Sequence, residues 1–143
     1  MSRAGLVYYV SGRIEIFHDS ELAALNCSYV RAYDEAGVYV QAAVRSGLAY
    51  ATKHNVQNWI VDVSDQVDSM SAVDQKWENS EDFLQLFRDS SIRNILLVTA
   101  APASGEGRNS AAVWAKEFET ELGDDFRVGV ATNRHETRTF FLR

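Results

Sequence analysis

The stretch Asn58-Trp59-Ile60-Val61-Asp62-Val63-Ser64-Asp65 decides the reading of this chain. Val56 to Val63 is almost continuously apolar, the composition of a strand buried on both faces of a parallel sheet. It ends in oxygen-bearing side chains, passes through a polar link, Gln66 to Ser71, and gives way to a helical pattern that opens at Ala72. Strand, link and helix together make a βα unit. In open α/β sheets the rim at the C-terminal ends of such strands is where sites are built, and Asp62 and Ser64 are delivered there.

On the N-terminal side, Leu6 to Val10 and the alternating Ile14, Ile16, His18 read as two strands broken by Ser11-Gly12. Leu22 to Tyr33 holds a third, placed at Asn26 to Ala32. Asp34 reads as a helix cap. After it, Ala36, Val40, Ala43, Val44, Gly47, Leu48 and Ala51 recur at helical spacing to about His54, where Asn55 makes a good stop. Gly47 sits on the apolar stripe, where its cost to the helix would be offset by a close approach to the sheet. Ser71, with Asp74 three residues on, caps a helix carrying Val73, Trp77, Phe83, Leu84 and Phe87 to about Asp89-Ser90. Ile92 to Thr99 is a second buried strand. Ala100 to Arg108 is a loop, and Asn109 or Ser110 caps a third helix that Gly123 ends. Phe126 to Thr132 is the last strand. His135 to Leu142 reads as a short helix, with Thr139, Phe140 and Phe141 packing back, or else as an edge strand; the helix is preferred. The expectation is a single α/β domain over residues 1–143: a mixed sheet, mostly parallel, with an N-terminal antiparallel pair and three to four helices.

Composition narrows the function. A chain of 143 residues is long enough to bury a real core. Its net charge of −6 opposes binding to phosphate backbones, so no nucleic-acid partner is expected. Arg134, Arg138 and Arg143 form a loose basic group, read as solvated. The lone Cys27 excludes an internal disulfide and reads as a small buried residue. No apolar run is long enough for a membrane span and the N-terminus lacks a signal segment, so a cytoplasmic protein is expected.

Three groups of residues carry a resemblance. They are Asn58-Trp59-Ile60-Val61-Asp62, Asp74-Gln75-Lys76-Trp77 in the following helix, and Arg93-Asn94-Ile95-Leu96-Leu97-Val98 in the next strand. With the order of elements and the closing His135-Glu136-Thr137-Arg138-Thr139-Phe140-Phe141-Leu142, the chain resembles STAS-like domains over roughly Ile14 to Leu142. These are the small α/β fold of bacterial anti-sigma-factor antagonists, related to CRAL-TRIO lipid-transfer domains. The antagonist side implies a regulatory protein partner and phosphorylation of the serine in an Asp-Ser pair ahead of a helix. Asp68-Ser69 stands in that link, so Ser69 is the candidate phosphorylation site. Where the family has a second hydroxyl residue and then glycine, this chain has Met70 and Ser71. The CRAL-TRIO side implies an apolar pocket for a small apolar ligand or lipid.

Read from the residues themselves, Asp62, Ser64, Asp65, Asp68 and Asp74 are oxygen donors suited to a hard cation, but their spacing lacks the glycine and terminal glutamate of a calcium loop. The preferred reading is that Asp62 satisfies nearby backbone N–H groups, Ser71 caps a helix and the rest are solvated, and no metal or other cofactor is expected. Ser104 to Ser110 offers backbone N–H groups ahead of a helix for a phosphate, yet lacks the Gly-Lys-Ser/Thr of a P-loop. His18, His54 and His135 show no ligand spacing. Trp77 is a candidate interface anchor. The expected function is a non-enzymatic regulatory or interaction module whose contact rim comprises Asp62, Ser64, Asp65, Asp68, Ser71, Asp74 and Trp77, and a homodimer is compatible with it. The alternatives are a domain that binds a small apolar ligand and an enzyme using Asp62 or Asp65 as base.

Overall fold

Each apolar run becomes a strand, and the strands lie side by side in chain order. A computed structural model describes residues 5–100 and 105–142, with no description of the side chains of 105–109. The strands are β1 (Leu6–Val10), β2 (Ile14–Asp19), β3 (Ala24–Tyr29), β4 (Asn58–Asp62), β5 (Asn94–Val98) and β6 (Arg127–Ala131). They form one six-stranded sheet in the order β1-β2-β3-β4-β5-β6. The β1–β2 and β2–β3 ladders are antiparallel, and β3 through β6 run parallel. The architecture is thus the mixed, mostly parallel α/β sheet expected from the sequence.

Right-handed crossovers that always step the same way along a sheet place their helices on one face. Those helices are α1 (Val38–His54), the pair α2 (Ala72–Glu78) and α3 (Glu81–Arg88), and α4 (Gly105–Leu122). Buried side chains from α1, α3 and α4 join Ile16, Cys27, Trp59 and Ile95 of the sheet in the main core. The last helix, α5 (Arg134–Phe141), returns to the opposite face, where Phe141 packs on the small cluster of Leu22, Ala24 and Ile60. Beside it, Phe140 occupies the space that a side chain on Gly129 would need. This double cover explains the apolar run in β4: Trp59 faces α1 and Ile60 faces the α5 side.

Several local details differ from the sequence reading. The third strand starts at Ala24 rather than Asn26 and stops at Tyr29. Helix α1 begins at Val38, with Gly37 in a left-handed conformation at its N-cap. Asp34 caps it from a distance, its Oδ2 accepting from the N–H groups of Val38 (2.7 Å) and Tyr39 (3.1 Å). The Tyr39 N–H is the main influence holding this carboxyl below its usual range. The single helix expected from Ser71 to Asp89 is two, because Ser80 turns the chain and caps α3 through the Phe83 N–H at 3.3 Å. The loop expected to run to Arg108, with a helix capped at Asn109 or Ser110, is already helical from Gly105, so the stretch weighed for a phosphate is helix over Gly105 to Ser110; Ser104 lies outside the described residues. On α5 the buried hydroxyl is Thr137, and Thr139 is exposed. Arg134 and Arg138 are tied to the β2–β3 connection, Arg134 to Asp19 (3.0 Å) and Glu21 (3.2 Å) and Arg138 to Glu21 (2.6 Å). They are therefore engaged within the fold rather than merely solvated, while Arg143 lies outside the described residues.

An asparagine ladder fixes the register at the N-terminal ends of the parallel strands. Asn94 Nδ2 donates to Asn58 Oδ1 at 2.9 Å, and Asn58 Nδ2 donates to the carbonyls of Leu22 and Ala23. Helix α1 is then set by Trp59. An added Cβ at Gly47 would stand 2.6 Å from Trp59 Cη2 and 2.9 Å from Cζ3. Gly47→Ala is expected to destabilise the protein by about 1–3 kcal/mol through overpacking, although alanine favours the helix by about 1 kcal/mol. Urea unfolding of the variant beside the wild type measures the balance.

Candidate functional site

The residues expected to form one rim divide between the two faces of the sheet. The pleat is the reason: successive side chains of β4 point to opposite sides. Asp62 closes an Asx-type turn at the end of β4, its Oδ1 accepting from Ser64 N (3.0 Å) and Ser64 Oγ (2.6 Å). Both residues look toward the α5 side. There, Asn26, Asp62 and Arg134 are shared by two adjoining hollows of about 480 and 250 Å³. Asp65, exposed, lines the larger one and Ser64 the smaller.

Asp68, Ser71, Asp74 and Trp77 have other surroundings. Asp68 fastens the link to the end of β3: its Oδ1 accepts from Ala32 N (2.7 Å) and Tyr33 N (3.3 Å), and Val67 N donates to Val30 O at 2.9 Å. Ser71 caps α2, its Oγ accepting from Asp74 N at 3.3 Å. The same hydroxyl meets Asp74 Oδ2 at 3.3 Å. Asp74 is fully buried against Gly37 at the start of α1. Its Oδ1 has no hydrogen-bond partner among the described residues, although the Gln41 amide lies near enough to favour the charged form. Burial outweighs the Ser71 hydrogen bond and raises its carboxyl above the usual range. Trp77 is half-buried, packed edge-on against Phe83 with ring centroids 5.0 Å apart and covered by the Arg45 guanidinium at 5.7 Å. It is a packing residue more than a projecting anchor. Ser69 is exposed, whereas Ser71 is not, so Ser69 is the accessible hydroxyl of the link.

No group of three or more His, Cys, Asp or Glu side chains placed to hold a metal occurs among the described residues. His18 and His54 do approach each other through Tyr50: His18 Nδ1 lies 3.1 Å from the Tyr50 hydroxyl, and the Tyr50 and His54 rings are 4.2 Å apart. Cys27 is buried in the core, and burial pushes its thiol well above its ordinary range. No described helix is long and apolar enough to cross a membrane.

Two features at the C-terminal ends of the strands bring together residues that the sequence does not group. The first is a group of exposed apolar side chains, Val30 (38%), Tyr33 (53%), Val38 (59%), Val67 (65%) and Val73 (47%). The Val67–Val30 and Asp68–Tyr33 hydrogen bonds join the first part of the group. Val73 Cγ1, 2.9 Å from where a Gly37 Cβ would stand, joins the rest. The second is a cavity of about 170 Å³ between α2, α4 and the ends of β3, β4 and β5. Its walls include Tyr29, Val61, Met70, Leu97 and Trp114, and Glu78 at the end of α2 is a carboxyl on this lining. Burial, and then the charge of Asp74, push the Glu78 carboxyl up to about 7. Burial also raises the Tyr29 phenol, helped by Cys27, Glu78 and Asp74. Glu78 belongs to no motif; its only signal in the sequence is its place one helical turn after Asp74.

No protein-family profile, curated protein or solved structure matches the chain.

A carboxyl whose folded value lies above its unfolded 4.5 holds extra protons in the folded state between that value and about 7. Stability therefore falls as pH rises through this window. A pK unit is worth about 1.4 kcal/mol, and partial exposure screens the group, so the loss expected from Glu78 is about 1–2 kcal/mol. Denaturant unfolding at pH 5 and pH 8 is expected to show this decline in the wild type and a flatter profile in Glu78→Gln.

Proposed function

We propose that this protein is a non-enzymatic regulatory or interaction module of STAS-like fold, and that it meets a protein partner through the rim formed by residues 30–39 and 64–73. The exposed apolar group Val30, Tyr33, Val38, Val67 and Val73 carries this reading. Monomeric proteins seldom leave neighbouring apolar side chains uncovered unless a partner covers them. Asp68 and Asp34 hold the two rim segments in place by hydrogen bonds to their backbone, so the surface is preformed. Pre-organisation of this kind lowers the entropic cost of association. Ser69 lies within the rim and is exposed. A phosphate there would add about two negative charges beside Asp68, and would be expected to weaken an apolar contact and so act as a switch.

The test compares wild type with a Val67→Asp/Val73→Asp double variant and with Ser69→Glu, using capture from the native cell followed by sedimentation of the purified complex. Retention of a specific partner by the wild type and its loss by at least about tenfold in the double variant, as burying two charges in an apolar contact should cause, is the expected outcome. Ser69→Glu is expected to reduce retention as well. Equal retention by wild type and double variant removes the rim from consideration. Sedimentation of the protein alone reports whether the partner is a second copy of the chain.

The cavity beside Glu78 favours a second reading, a domain that binds a small apolar ligand. Its apolar walls and its place at the strand ends support that reading.

A further inference from the structure

The cavity next to Glu78 has a charge character that narrows its ligand. Its body is apolar, built from Val61, Met70 and Leu97 with the aromatic faces of Tyr29 and Trp114. About 170 Å³ is room for a single ring, since an apolar cavity of roughly 150 Å³ is enough to hold benzene. Two lining side chains depart from this: Gln66, whose amide donates to the Asp68 carbonyl, and Glu78. Glu78 lines the cavity with no hydrogen bond and no ion pair among the described residues. The cation that α1 carries nearby, Arg45, is drawn over the Trp77 ring instead.

A carboxylate left without a partner beside apolar walls is costly unless something pairs with it. The surrounding field decides the sign of that something. Asp74, one turn earlier on α2, already acts on Glu78 as a like charge. The Tyr29 phenol faces Glu78 from β3 and is kept neutral by burial. Trp114 from α4, Val61 from β4 and Leu97 from β5 bring no charge. An anionic ligand would meet two carboxylates and a chain of net charge −6. A cation would gain from both carboxylates, and the Tyr29 and Trp114 rings suit the adjoining aromatic body and the cation alike.

We propose that this cavity is a binding site for a compact hydrophobic primary amine, a body of one ring with a single ammonium group, with Glu78 as the counter-ion. This rests on the second reading above, ligand binding in the cavity, and names the ligand's class. The ammonium pairs with the ionised Glu78 carboxylate, and the ring occupies the space between Leu97 and Trp114. Binding therefore requires Glu78 ionised and the amine protonated. Acidification through about 7 titrates Glu78 and weakens the complex.

The probes are 2-phenylethylamine, its neutral analogue propylbenzene and the anion 3-phenylpropanoate, titrated against the full chain at pH 8 and pH 5.5. The readouts are tryptophan fluorescence, to which Trp114 reports, and ligand-observed NMR. At pH 8 the amine is expected to bind at least tenfold more tightly than either analogue. Glu78→Gln should remove that preference while leaving propylbenzene unchanged, and pH 5.5 should reduce it. Leu97→Phe, which fills the cavity, should abolish binding of all three. Propylbenzene or the anion binding as tightly as the amine, in a manner sensitive to Leu97→Phe, keeps the cavity as a ligand site and overturns the amine assignment. So does a preference that survives Glu78→Gln. Amine binding untouched by Leu97→Phe overturns the site. Failure of all three probes to bind overturns both the site and the ligand-binding reading.

Discussion

Trp59 seated against Gly47 sets how closely α1 can approach the sheet. Trp59 is nearly fully buried at the centre of the sheet, and its ring lies where any side chain on Gly47 would stand. The missing Cβ lets α1 descend onto β4, and the indole also meets Phe87 of α3 edge-on, centroids 5.6 Å apart. One side chain thereby sets the height of two helices above the sheet. Phe87 and Phe83 continue the packing to Phe118 of α4. The aromatic column runs beneath all three crossovers, and the space left at its edge, toward the strand ends, is the cavity that Glu78 and Trp114 border.

This arrangement separates stability from exposed chemistry. The polar groups of the 62–74 link serve the backbone first: Asp62 closes a turn, Asp68 fastens the link to β3, and Ser71 starts α2. Asp74 is the exception, since it is buried with one oxygen unpaired and its charge acts on Glu78. Two adjacent carboxyls raised by burial on one short helix are a local destabilisation. Such a cost persists in a fold when the surrounding packing over-determines it, and it concentrates charge-sensitive behaviour at this end of the sheet. The exposed valines of the rim lie beside this region through Gly37 and Val73.

Much of the fold was legible because its signals are local and periodic. Continuous apolar runs marked β4 and β5, three-and-four spacing marked α1, and Gly47 on the stripe already pointed to a close approach. Asn55 adopts the left-handed backbone its position after α1 suggested. The errors fall where competing local signals are comparable. Ser80 cuts one expected helix into two because a serine can cap as readily as it can continue. Gly105 and Gly107 read as loop, yet both lie in α4, where helix context overrides a weak preference. Arg134 and Arg138 read as solvated because Asp19 and Glu21, their partners, are more than a hundred residues away in the chain.

The strands, the crossover helices and their order follow from the amino-acid order alone, since each depends on the spacing of apolar residues within a dozen positions. The sequence also carries the acidic balance and marks the link after β4 as the place where polar groups gather. Which face each of those groups serves is settled by three-dimensional packing. The pleat sends Asp62 and Ser64 to one side of the sheet, while the helix geometry of α2 sends Asp74 and Glu78 toward the other. A cavity and an exposed apolar rim are assembled from residues that the chain brings from Val30, Val67, Leu97 and Trp114. Their proximity is a property of packing, which no local pattern encodes.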